Sequence, residues 1–149
     1  MPSIASAIAP ERVVDISDTE KGPALAKLVT ALASSSENLD HERLLAAINS
    51  REDLSPTGIG EGLALPHARL PELKSFVLGL GRLSQGVEFD APDGLPVHLM
   101  CMLVGPDNPD RQPDYLKLLR SATQFMRNER DRLLSLDDVK MAYALFQEY

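Results

Sequence analysis

The apolar positions change period part-way along the chain. Leu25, Leu28, Val29 and Leu32 recur at helical spacing and predict a helix from Pro23, which suits a first turn. The serines at 34–36 end it. Asp40 is placed to cap a second helix running to about Ser50, with Leu44, Leu45 and Ile48 on its apolar face. Ahead of both lies only a short strand or turn near residues 12–16. Beyond them Leu63, Leu65 and His67 alternate with Ala64, Pro66 and Ala68, which is the two-residue period of a strand. Pro66 has no N–H to give a ladder, so this strand is an edge or is about to end.

Residues 76–83 predict another strand, with Phe76, Leu78 and Leu80 on one face. Gly79 and Gly81 lie on the other face, where a neighbour can approach closely. Residues 87–89 fit a short strand and 91–94 a turn. The near-continuous apolar run at 97–104 predicts a central strand covered on both faces. A Pro- and Asp-rich loop at 105–113 leads into a long helix to about Arg127. Leu116, Leu119, Thr123 and Met126 mark one stripe of it, and Leu118, Ala122 and Phe125 an adjacent one. Residues 135–138 read as a capping box opening a last helix, with Val139, Ala142, Tyr143 and Phe146 inward. The fold class expected is α/β, a single domain over 1–149 with a mixed β-sheet flanked by helices.

Composition narrows the function. With 149 residues, 44% hydrophobic and 25% charged, the chain has the make-up of an ordinary globular domain that needs no staples. No apolar run reaches the length of a membrane span, and MPSIASAIAP has no basic residue ahead of its apolar stretch. The lone cysteine, Cys101, sits inside VHLMCMLV, so no disulfide forms within the chain and a buried thiol is expected. These features point to the cytoplasm and away from membrane insertion. Net charge is −7, and no basic stripe with interleaved aromatics occurs, which argues against nucleic-acid binding.

The chemistry concentrates in GIGEGLALPHAR, residues 58–69. Gly58, Gly60 and Gly62 do not fit a dinucleotide loop, because a helix precedes them and a strand follows, the reverse of that motif's order. They suit a tight turn whose amides can face an anion. His67 follows at the end of the apolar stretch, with Arg51 and Arg69 flanking the segment and Thr57 and Gly58 between them. An imidazole beside guanidinium groups and free amides is suited to holding a phosphoryl group. His41 and His98 are dispersed and join no Cys or carboxylate cluster, so no metal site is expected. Taken alone, Arg51 is also an ordinary cation at a helix end and Arg69 an ordinary surface residue.

Arg51-Glu52, then Thr57-Gly58-Ile59-Gly60, then Gly62-Leu63-Ala64-Leu65-Pro66-His67 resembles the type-2 enzyme IIA domain of the bacterial phosphotransferase system, whose pattern is R-E…S-T-G-I-G-x-G-[IV]-A-[IL]-P-H. The resemblance extends over nearly the whole chain and includes the mannitol, fructose and nitrogen-regulatory members. It implies that His67 accepts a phosphoryl group from the phosphocarrier protein HPr or a nitrogen-branch counterpart, and can pass it to an enzyme IIB. It implies a site role for Arg51 and requires no metal or cofactor. Arg69 is added from its position alone. Two positions depart from the pattern. Pro56 stands where the family has Ser, and Tyr115-Leu116 stands where the family places a second histidine in an H-L pair. Tyr115 is expected to project toward His67 and replace that histidine with a hydroxyl donor. No membrane domain or IIB segment occurs within these residues, which favours a regulatory phosphocarrier. The alternatives are a IIA subunit of a fructose or mannitol permease, and a binding module of the same fold that is not phosphorylated.

Overall fold

In the computed structural model, which describes residues 2–149, the two longest strands run antiparallel at the middle of a six-stranded mixed sheet. They are β5 (Val77–Val87) and β6 (Val97–Pro106). The first strand, β1 (Val13–Ile16), lies parallel to the outer edge of β5. Three short strands line the other side of β6: β2 (Gly58–Gly60), β3 (Leu63–Ala64) and β4 (His67–Leu70). Both β3 and β4 pair parallel with β6, and β2 pairs antiparallel with β3.

Helices cover both faces. On one lie α2 (Lys21–Ser34) and α3 (His41–Leu54), whose Leu25, Leu28, Leu32, Leu44 and Ile48 pack with Met100, Met102 and Val104 of β6. On the other lie α1 (Ile4–Ala7), α4 (Gln112–Ser135) and α5 (Ala142–Phe146), packed on Leu78, Leu80, Leu99, Cys101 and Leu103. The alternation of these two sets along β5 and β6 explains the unbroken apolar run at 97–104.

Several boundaries differ from the sequence pattern. The stretch 63–67 is two strands along one edge of β6, with the ladder interrupted at Leu65-Pro66, because proline cannot donate. The long helix runs on to Ser135, since no breaker intervenes and Leu133 is buried. Ser135 therefore closes α4, its hydroxyl donating to the Asp131 and Arg132 carbonyls. The last helical segment is capped by Asp138, which accepts from Lys140 N–H. Leu116, placed on an inward stripe by its spacing, is 48% exposed. The short helix α1 had no periodic signal.

Two close contacts fix this packing. Arg12 is buried, donating to the carbonyls of Leu78, Ser35 and Ala7 and so tying the N-terminal segment to β5 and the end of α2. At Gly79, α2 comes so near that an added Cβ would lie 2.4 Å from Leu32 Cδ1 and 3.2 Å from the Arg12 carbonyl oxygen. Gly79→Ala is expected to cost about 1–3 kcal/mol by overpacking. It should lower the urea midpoint with an unchanged slope; an unchanged midpoint would show that α2 can shift to make room.

Candidate functional site

The interruption at Pro66 creates the site. Leu65 lies outside the β6 ladder, and its carbonyl accepts the hydrogen bond from His67 Nδ1 at 2.7 Å. A carbonyl can only accept, so Nδ1 carries the proton and Nε2 keeps a lone pair. His67 is half-buried, and its pKa lies below the usual value near 6.5. Burial is the main cause, the Arg51 charge adds to it, and the Leu65 hydrogen bond and Glu52 oppose it. The ring is thus neutral at neutral pH, with its lone pair on Nε2.

Tyr115, in the first turn of α4, meets His67 edge to face, with ring centroids 6.1 Å apart. It is 5% exposed and stacks on Phe76. Burial raises its pKa, so the phenol remains a donor. Arg69 lies over the same ring, with its guanidinium carbon 5.2 Å from the centroid. Its nitrogens donate to the Pro106 carbonyl at 3.2 Å, to the Asn108 carbonyl at 2.9 Å and to Gln112 Oε1. Arg69 therefore ties β4 to the loop that delivers α4, and so sets the place of Tyr115. Arg51, at the C-terminal end of α3, donates to the Ser55 carbonyl at 2.9 Å; its charge adds to the lowering of the His67 pKa and partly offsets the burial that raises that of Tyr115. It is a helix-end cation and a neighbour of the imidazole at once.

Residues 8–149 match the family described as "Phosphoenolpyruvate-dependent sugar phosphotransferase system, EIIA 2". The chain belongs to that family. It is 33% identical over 126 residues to the PTS system fructose-specific EIIABC component of Bacillus subtilis, covering 83% of this chain and 20% of that protein. It therefore spans only about a fifth of that relative. It is 30% identical over 135 residues to the nitrogen regulatory protein of Pseudomonas aeruginosa, covering 89% of this chain and 86% of that one. The crystal structure of nitrogen regulatory protein IIA-Ntr from Neisseria meningitidis has the same fold. Its TM-score is 0.84 at 27% identity, covering 96% of this chain and 98% of that one.

In this IIA domain the remaining residues singled out by sequence are bonded or packed within the chain itself. Thr57 is 5% exposed, and both its hydroxyl and its N–H donate to the Glu52 carboxylate. Gly58 lies in β2, where an added Cβ would sit 3.1 Å from Phe89 Cβ and 3.2 Å from Ala91 Cβ. The glycine turn does face an anion, but that anion is internal. Gly60, Glu61 and Gly62 all have positive φ, and Glu61 N–H donates to Asp93 at 2.8 Å. The turn is five residues of nearly extended chain away from His67, up to about 16 Å. His98 Nδ1 donates to the Leu83 carbonyl, and His41 bonds Thr30 and Glu42. Sequence reasoning assigned no role to Glu52, Lys21, Phe76 or Gln112. Glu52 stands in the R-E pair, which was a signal; the others carry none.

The lowered pKa has a consequence for stability. Above pH 6.5 neither the folded nor the unfolded imidazole is protonated, and the contribution of His67 is intact. As the pH falls from 6.5 to the lower folded value, the unfolded chain binds a proton that the folded chain refuses. Stability is lost over that window and is level beneath it. His67→Gln should flatten this part of the acid-side slope in urea unfolding between about pH 7.5 and about pH 5. Identical slopes for the two proteins would mean that the folded pKa is not depressed.

Proposed function

We propose that this IIA domain is a phosphocarrier in which Nε2 of His67 accepts a phosphoryl group from HPr or a nitrogen-branch counterpart. The hydrogen bond from Nδ1 to the Leu65 carbonyl carries the reading, because it leaves Nε2 as the nucleophile. The Nε2 lone pair forms the new N–P bond as the donor's own N–P bond breaks, and the donor imidazole leaves with that electron pair. The Nδ1 proton stays on the ring, held by Leu65. On onward transfer to an enzyme IIB the ring departs as the same neutral tautomer. Such a step needs alignment and charge stabilisation rather than further covalent chemistry. Arg51 and the first turn of α4 supply positive potential, and the Tyr115 phenol supplies a donor. Arg69 acts through its hold on the 106–112 loop, and Thr57 and Gly58 through the frame under His67.

A regulatory, cytoplasmic role is favoured by the coverage of the Pseudomonas aeruginosa nitrogen regulatory protein, 86% of its length, and by the fit to the Neisseria meningitidis protein. The identity to the fructose-specific component supports a second reading, a IIA unit of a sugar permease. Tyr115, in place of the family's second histidine, favours a third: a module that regulates partners without being phosphorylated.

Incubation with phosphoenolpyruvate, enzyme I and HPr from the same source should add one acid-labile phosphoryl mass, which His67→Ala abolishes without loss of fold. Labelling of the alanine variant would reject His67 as acceptor, and no labelling of the wild type would leave the third reading standing. A hydrogen bond to a charged phosphoryl oxygen contributes roughly 1.5–3 kcal/mol. Tyr115→Phe should therefore slow transfer about tenfold or more with little change in Tm. Equal rates would make Tyr115 a packing residue only.

A further inference from the structure

A continuous chain of polar contacts runs from the start of α2 to the imidazole. Lys21 Nζ, at the start of α2, lies 2.8 Å from Glu52 Oε2. The Glu52 carboxylate is 6% exposed and accepts from Thr57 N–H at 3.1 Å and from the Thr57 hydroxyl. The Thr57 carbonyl accepts from Leu65 N–H at 3.0 Å. The Leu65 carbonyl accepts from His67 Nδ1 at 2.7 Å. The chain passes along short elements, since β2 and β3 are three and two residues long.

We infer that Lys21, Glu52 and Thr57 are positioning residues for phosphoryl acceptance, selecting the Nδ1–H tautomer of His67 and so directing transfer to Nε2. The inference rests on the phosphocarrier reading above and goes beyond it in naming what sets the nucleophilic atom. Leu65 is clamped on both sides: Thr57 holds its N–H, and beyond it the Pro66 carbonyl accepts from Leu103 N–H at 3.0 Å. Its own carbonyl is thereby aimed at Nδ1. A free imidazole distributes its proton between both nitrogens, and only a fixed acceptor beside one of them biases that choice. The clamp depends on the Glu52 carboxylate, held in a nearly buried place by two donors from Thr57. Lys21 makes that possible, since a buried carboxylate without a cation beside it is strongly disfavoured. Lys21 is itself held 4.9 Å from the centroid of Phe89, whose Cβ packs under Gly58. Phe89 thus supports both Lys21 and the strand that follows Thr57.

The test uses the full chain, unphosphorylated and then in the transfer assay, in Glu52→Gln, Thr57→Val, Lys21→Met and Lys21→Arg. Nitrogen-15 shifts of the His67 ring read the tautomer directly, whether or not the protein accepts phosphoryl. The wild type should be predominantly Nδ1–H. In Thr57→Val and Lys21→Met the Nε2–H form should become populated, and transfer should slow about tenfold through lost alignment. Lys21→Arg should restore both. Glu52→Gln should behave like Thr57→Val where it folds, and Thr57→Val, which keeps shape and loses only the hydroxyl, carries the test if it does not. Folded variants with the wild-type tautomer and rate would overturn the inference. A wild type with the expected tautomer that takes no phosphoryl would instead overturn the phosphocarrier reading and leave the positioning chain in place.

Discussion

Strand β6 is paired along both edges and covered on both faces, and the site follows from that confinement. Its antiparallel partner β5 occupies one edge, and the broken line of β3 and β4 occupies the other. The register sets His67 opposite Leu103 and Arg69 opposite Gly105. The chain leaves β6 at Pro106 and turns through 107–111 into α4, so the first turn of that helix returns beside β4. Arg69, bonded to Pro106, Asn108 and Gln112, fixes the return. Tyr115 meets His67 because both are measured from the same end of one strand.

Pro66 has a second consequence beyond ending β3. A residue with an N–H there could have continued the ladder and engaged neighbouring carbonyls in regular pairing. The interruption leaves the Leu65 carbonyl for the imidazole. A sheet edge that would ordinarily be an open liability becomes the place where one side chain is presented in one protonation state.

The electrostatics are local. The chain carries a net charge of −7, yet the groups around the imidazole are Arg51, Arg69 and the N-terminal turn of α4. The nearby acid, Glu52, is matched by Lys21 and by two donors from Thr57. Negative charge elsewhere on the surface is screened over about 10 Å at ordinary ionic strength. Burial, with the Arg51 charge adding to it, is why the pKa of this half-buried imidazole lies low even in an acidic protein.

By itself the sequence determined the layers and the location of the chemistry. Helical spacing at Leu25, Leu28, Val29 and Leu32, the apolar run at 97–104 and the order of elements were enough for a mixed sheet between helices. The R-E, Gly-rich and Pro-His segments were enough for the family. Those signals are local or lie in a short ordered motif. Tertiary structure alone decided that Thr57 faces Glu52, that the glycine turn holds Asp93 rather than a ligand, and that Arg69 anchors a loop 37 to 43 residues further on. It also decided that Lys21, on another helix, supports the acid beneath His67. A side chain's donors go to whichever acceptors the packed chain brings within about 3 Å. That pairing depends on strand register and helix approach, and neither quantity has a periodicity to read.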